Sequence, residues 1–322
     1  MIRTALPVLV IAGLTGFASA ELVAYYSFDG SDAADQSPKG NHGTVGASMA
    51  FNPASPFGTG QALQATGVSG NAGLVSVPNS SSLEGIRHQL SLSAWIKADA
   101  TQNQDWFRFM RKGTESNPGQ TWMWNRNAST QDTNMRIDTS DGVTGTFNMN
   151  RGGDSDVVLD NQWHQLVFTL DNGNWAEYLD GVASGSGTYD HGNGFSNTEP
   201  MLIAGRGQNM TGFLDDIGVW DHALSPGEAR AIQQFASAGT LGYNLGKVNQ
   251  LFALTPGQQV LIDGRTWLGV SGLAGAEGNL EAGGGQFAIN FAGGLGVMTI
   301  PEPSSGVLFL GWILLLWRRM RP

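Results

Sequence analysis

The chain has 322 residues and no cysteine. That excludes disulfide frameworks, thiolate metal clusters, cysteine nucleophiles and cysteine-attached lipids together. Charge is sparse, at 14% of residues, and basic charge is the sparser kind, with 17 Lys and Arg against 27 Asp and Glu. Arg3, Arg318, Arg319 and Arg321 sit at the two ends, and without them 13 basic residues remain against the 27 acidic residues of the whole chain. Such a body repels phosphate backbones, which argues against nucleic acid as a partner and leaves calcium and neutral polymers open. No apolar run reaches the roughly 20 residues of a full membrane span. Glycine is abundant instead: its 46 residues are about twice the usual share of roughly 7%. With many Asp, Asn, Ser and Thr, this is the composition of strands joined by turns.

The two ends read as addresses. Residues 1–20 carry Arg3, an apolar stretch from Ala5 to Gly16 and the small-residue ending Ala18-Ser19-Ala20, a secretory signal with cleavage expected before Glu21. At the other end Pro301-Glu302-Pro303 precedes an apolar run from Gly306 to Trp317, then Arg318, Arg319 and Arg321. As a helix that run reaches about 18 Å, short of a roughly 30 Å hydrocarbon core, and the arginines would hold it at the cytoplasmic face. This order resembles the PEP-CTERM sorting signal of Gram-negative bacteria, which an exosortase-type membrane protease recognises and cuts. The resemblance implies a transient inner-membrane anchor and release to the cell surface or extracellular matrix. A simple C-terminal anchor is the alternative.

Between the ends, short alternating segments separated by turn residues predict an antiparallel all-β domain. Ten segments qualify: 22–28, 73–78, 90–98, 106–113, 121–127, 134–139, 164–171, 175–181, 200–205 and 212–220. Ten strands at this spacing imply two stacked sheets. Asn172-Gly173 and Asp180-Gly181 suit tight turns that need positive φ. One helix is predicted after them, with Ser225 as N-cap, Pro226 at the first helical position and Glu228 completing a capping box. Its apolar face, Ala229, Ile232, Phe235 and Ala236, should dock on the sandwich. Residues 239–300 form a second unit with strands at 260–267 and 286–291, read as a small Gly-rich β appendage or spacer.

Four blocks carry a family resemblance: "LVAYYSFDGSDAADQSPKGNHGTV", "LSLSAWIKA", "WHQLVFTLDNGNWAEYLDG" and "MLIAGRGQNMTGFLDDIGVWDHALSPGEARAI". In this order, from about Leu22 to Ala238, they resemble the LamG-like, or concanavalin A-like, jelly-roll family. The resemblance implies a two-sheet antiparallel jelly-roll sandwich, often with structural calcium and often used to bind glycans or proteins. It does not fix a ligand. The expected organisation is a signal peptide at 1–20, the jelly roll at 21–238, the appendage at 239–300, and the sorting signal with a short transmembrane helix at 301–322.

Calcium takes six to eight oxygens at about 2.4 Å, and the loop holding Asp29, Asp35 and Asn41 is rich in them. The family resemblance brings the "DQSPKGNHG" segment near the penultimate strand, so Asp215 or Asp216 would complete the shell. The competing reading is that these residues only cap turns. Trp95, Trp163 and Trp220 are expected in the core. Trp122 and Trp124, two apart on one strand, share a face and with Trp106 could stack on sugar rings, while Arg126, Asn125 and Asn127 beside them offer hydrogen bonds; the alternative is that they cover the edge of the sandwich. Catalysis finds no support. Glycosidases need two facing carboxylates, whereas Glu177 is alone on its strand and Asp215-Asp216 should point to opposite faces. The five histidines form no zinc pair, and no nucleophile elbow or phosphate loop occurs. The expected function is therefore non-catalytic binding of extracellular polysaccharide or matrix protein. A structural matrix protein without a glycan ligand, or a concanavalin A-like glycoside hydrolase, is the alternative.

Overall fold

Because successive side chains of a strand alternate between faces, a run such as Leu90, Leu92, Ala94 and Ile96 must lie against a core. The computed structural model describes residues 21–99, 106–113, 120–127, 132–138, 146–150, 158–189, 194–205, 209–236, 241–271, 288–292 and 295–300. Along the chain, β1 (Leu22–Tyr26), β2 (Thr44–Val45), β3 (Ala50–Asn52), β4 (Ala62–Thr66) and β5 (Val75–Val77) lead to α1 (Ser81–Glu84). There follow β6 (Gln89–Ala98), β7 (Arg108–Gly113), β8 (Gln120–Asn127), β9 (Asp132–Asp138), β10 (Thr146–Asn150), β11 (His164–Asp171), β12 (Asn174–Leu179) and β13 (Val182–Thr188). The described chain closes with β14 (Met201–Ile203), β15 (Thr211–Trp220), α2 (Pro226–Ala236), α3 (Leu245–Phe252), β16 (Gln259–Ile262), β17 (Arg265–Ser271), β18 (Ala288–Ala292) and β19 (Leu295–Ile300).

The first sheet runs β13-β12-β11-β6-β15-β4-β3, with β1 also paired to β15, and the second runs β10-β9-β8-β7-β14-β5-β2. Leu92, Ile96, Phe168 and Leu214 of the first sheet meet Val75, Met110, Trp122, Trp124 and Ile203 of the second in one continuous core. This is the two-sheet antiparallel sandwich. The predicted turns form, with Asn172 and Gly173 at φ 46° and 90° and Asp180 and Gly181 at 49° and 75°. The capping box is also present: Ser225 N donates to Glu228 Oε2 at 2.7 Å and Glu228 N to Ser225 Oγ at 3.3 Å.

Differences are local. The segment 260–267 is not one strand but the hairpin β16–β17, turned at Asp263-Gly264 with φ 48° and 77°. The short strands β2, β3, β4 and β13 carry too little apolar alternation to stand out. No helix among the described residues is long and apolar enough to cross a membrane; residues 1–20 and 301–322, with both expected targeting segments, lie outside them.

A second core forms on the outer face of the first sheet. Tyr25, Val167, Tyr178 and Trp220 are covered there by Ala229, Ile232 and Phe235 of α2, by Leu245, Val248 and Leu251 of α3, and by Trp267 of β17. Phe235 stacks on Tyr243 at 6.1 Å, and Trp267 meets Phe235 edge-on at 5.4 Å. Gly218 allows the contact, since a Cβ there would lie 2.4 Å from Leu245 Cδ2. The four-stranded sheet β16-β17-β19-β18 thus begins in a segment that shares its packing with the sandwich. A fragment ending at 238 uncovers this layer and is expected to bind a hydrophobic dye and aggregate, while a fragment ending at 300 stays monomeric; light scattering with dye fluorescence separates the two.

Candidate binding face

Register decides which side chains of the second sheet point inward. Met110 pairs with Trp124, and Trp124 with Met135; Lys112 pairs with Trp122, and Trp122 with Ile137. Both rows lie in the inter-sheet core, and Trp122 and Trp124 are 0% exposed. The expected sugar platform on these two residues is therefore corrected. They share a face as alternation requires, but it is the inner one, where Trp124 packs edge-on against Phe109 at 5.8 Å and its indole N–H donates to Glu177 Oε1 at 3.3 Å. Trp106 is half-buried just before β7, at φ 64°. Arg126 is buried near the end of β8, opposite Thr133. The structure does not gather these four residues into one site.

The alternate row points away from the core. Ser76, Leu202, Arg111, Met123 and Arg136 are paired in sequence across five strands of the second sheet. Beside them Arg108, Asn125 and Asn134 form a second register row. Arg108 Nε donates toward Met123 Sδ at 2.8 Å, which ties the two rows together. Arg108, Arg111, Asn125 and Asn134 are buried, so this face is largely covered although it lies opposite the core, and half-buried Arg136 is the member of the set that reaches solvent. In a body with so few cations, three guanidinium groups are concentrated here with two carboxamides. Guanidinium forks match carboxylates bidentately, and carboxamides pair with hydroxyls. Of this set the sequence reading reached only Asn125, as a neighbour of the tryptophans. The signal it missed is phase: two core tryptophans at i and i+2 hand the outer face to the residues between and beyond them.

The acidic residues expected to bind calcium are placed differently. Asp35 already accepts four hydrogen bonds, from Tyr25 N at 2.8 Å, Ser37 N at 2.8 Å, Ser37 Oγ at 2.8 Å and Asn41 N at 2.6 Å. A carboxylate has about four lone-pair sites, so none is left for a metal. Asn41 donates to Val23 O at 2.7 Å and Ser82 Oγ at 3.0 Å, while exposed Asp29 accepts from Gln61 N at 3.1 Å. Asp216 accepts from Tyr25 Oη and from Leu245 N, each at 2.7 Å, and so holds the first turn of α3 on the sandwich. Among the described residues no three His, Asp or Glu side chains converge as a cation shell. The five expected ligands do not fit one calcium ion; the turn-capping alternative describes Asp35.

Asp215 and Asp216 also depart from simple alternation. Asp216 has φ 51° and the register slips between Asp215 and Gly218, a bulge that turns Asp216 toward Tyr25 and α3. Asp215 lies beside Trp95 in register, and its Oδ1 accepts from Asp216 N at 2.8 Å. Burial first, and the Asp216 charge second, push Asp215 up to about 9, against opposing hydrogen bonds from Ser55 and the Asp216 backbone. Burial pushes Asp216 up to about 7, against the opposing Tyr25 and Leu245 hydrogen bonds. Glu177 is 0% exposed behind Trp124. None of these groups faces a surface where a glycosidic bond could lie. Elsewhere Trp95 and Trp220 are buried, on the outer layer of the first sheet, and half-buried Trp163 donates to Ala54 O at 2.9 Å. His164 links two turns, 2.8 Å from Asp180 Oδ2 and 3.1 Å from Asp160 Oδ1.

Residues 69–230, half of the chain, match the Laminin_G_3 family, described as the concanavalin A-like lectin/glucanases superfamily. No curated protein sequence matches the chain. Among solved structures, it is similar to domain 4 of AbnA, a GH43 extracellular arabinanase from Geobacillus stearothermophilus, in complex with arabinotriose. Identity is 21% and TM-score 0.51, over 66% of this chain and 98% of that one. The binding domain of Paraclostridial Mosquitocidal Protein 1 is similar at 12% identity and TM-score 0.56, over 88% and 67% of the two chains. The botulinum neurotoxin serotype D ligand binding domain, in complex with N-acetylneuraminic acid, is similar at 10% identity and TM-score 0.55, over 84% and 70%. At these identities the likeness is one of fold.

Proposed function

Because the chain belongs to the concanavalin A-like lectin/glucanases superfamily, we propose that it is a non-catalytic binding protein for extracellular polysaccharide or a matrix component, with the outer face of the second sheet as its contact surface. The observation that carries this reading is half-buried Arg136, the member of the Arg- and Asn-rich rows opposite the core that keeps access to solvent. A guanidinium group there favours sugars that bear carboxylates. Two structures of the same fold support a glycan, one being in complex with arabinotriose and one with N-acetylneuraminic acid. The chain's own sequence supports the setting: residues 1–20 direct export, and residues 301–322 hold the protein transiently in the inner membrane until an exosortase-type protease releases it to the surface of a Gram-negative cell.

Affinity electrophoresis through gels containing uronate-bearing or neutral polysaccharide tests the face. Retardation is expected in the uronate gel. Arg136→Ala, and Arg136→Lys, which keeps the charge but loses the fork, should each weaken it about ten- to hundredfold with the circular dichroism spectrum unchanged. Equal retardation of both variants and the parent removes this face from binding.

A further inference from the structure

Lys112 of β7 points into the sandwich and is 1% exposed. Its amine nitrogen meets Asn79 Oδ1 at 2.7 Å, Asn197 O at 3.0 Å, Asn197 Oδ1 at 3.3 Å and Glu199 O at 2.7 Å. Glu84, the last residue of α1, accepts from Asn79 Nδ2 at 3.2 Å. Topology brings the three together. Met201 of β14 pairs with Val77 on one side and Lys112 on the other, so Asn79, two residues beyond Val77, reaches Lys112 past the end of β14. A primary amine thus touches a carboxamide whose own nitrogen is bonded to a carboxylate. These are the three groups that an amide exchange requires: a nucleophile, an acyl carbon, and a proton carrier at the leaving nitrogen.

We propose that Lys112 and Asn79 join in an intramolecular isopeptide bond, formed by attack of Lys112 Nζ on Asn79 Cγ with release of ammonia. The neutral amine adds to the carboxamide carbon, and Glu84 takes one proton from Nζ and delivers it to Nδ2. The Cγ–Nδ2 bond then breaks, leaving a secondary amide between the two side chains and one molecule of ammonia. Atoms and charge balance without oxidant, metal or cofactor. The surroundings favour the step. Burial lowers the Lys112 amine to about 8, against the Glu84 and Glu199 charges that raise it, so a useful fraction is neutral near physiological pH. Held contact between the reacting groups supplies the proximity that makes a sluggish aminolysis practicable.

The link would tie the β5–α1 connection to β7 across β14, closing the chain between residues 79 and 112. In a protein with no cysteine it is the kind of covalent staple that a disulfide cannot provide, and it constrains the unfolded chain by the same loop-closure argument.

Tryptic digestion of the purified, folded full chain with mass spectrometry tests the proposal. The expected product is a branched peptide joining the Asn79 and Lys112 segments, uncut after Lys112 and lighter by one ammonia than the two linear peptides together. Lys112→Arg should abolish it. The near-isosteric Glu84→Gln should give a folded protein that yields only the two linear peptides. Linear Asn79 and Lys112 peptides from the folded parent overturn the proposal. So does ammonia loss without branching, as a succinimide at Asn79 would give, while a branched peptide that persists in Glu84→Gln overturns the role of Glu84.

Discussion

Trp124→Ala is expected to cost about 3–5 kcal/mol of stability, the range for deleting a buried aromatic, and to lower the melting temperature by about 10 °C. The residue is fully buried among side chains of both sheets, edge-on to Phe109. Its removal opens a cavity and also strips the indole N–H donor from the interior carboxyl of Glu177. Trp124→Phe refills most of the cavity but not the hydrogen bond, so it should lose about 1–3 kcal/mol. Urea titrations of the two variants give both numbers. A surface platform for sugars would behave in the opposite way, with melting unchanged and binding lost.

Raising the pH from about 5.5 to about 9 should destabilise the protein by several kcal/mol, and Asp215→Asn should remove much of that loss. Asp215 and Asp216 have folded pKa values of about 9 and about 7, against an ordinary 3.8. Between the ordinary and folded values the native state holds protons that the unfolded chain releases. Stability therefore falls as pH rises through that window, by up to about 1.4 kcal/mol per pH unit for each carboxyl. His164 adds to the same trend lower down: its hydrogen bond to Asp180, together with Asp160, raises its pKa against desolvation, so its contribution is present in acid and lost as pH rises past the folded value. The carboxamide introduced by Asp215→Asn would resemble the neutral carboxylic acid and carry no proton to lose. Repulsion in an acidic chain produces a similar slope, so Asp221→Asn, an exposed position, is the control that removes the same formal charge. Melting curves that flatten equally in both variants would show net charge to be the cause; flattening in Asp215→Asn alone is the expected result.

The sandwich was legible in the sequence because burial on one face forces period-two patterning, and turns such as Asn172-Gly173 announce themselves through positive φ. The capping box at Ser225 and Glu228 was equally local. What alternation cannot give is which face of a strand is the inner one. Trp122 and Trp124 share a face, but only their pairing with Met110, Met135, Lys112 and Ile137 shows that it is the core face. Asp216 escaped for another reason. A bulge is one residue of extra chain, invisible to a two-residue period, and it carries this carboxyl to Tyr25 and α3. Lys112, Asn79 and Glu84 come from three elements brought together by the order β7-β14-β5, and no spacing along the chain foretells that.

The most direct test of the central claim is to incubate the purified protein with uronate-bearing polysaccharides and to measure, in the same samples, retained protein and reducing ends. Saturable retention that Arg136→Ala weakens about tenfold or more, with polymer length unchanged, is the predicted result. Release of new reducing ends would contradict the non-catalytic reading, and absence of retention on every polysaccharide would contradict binding.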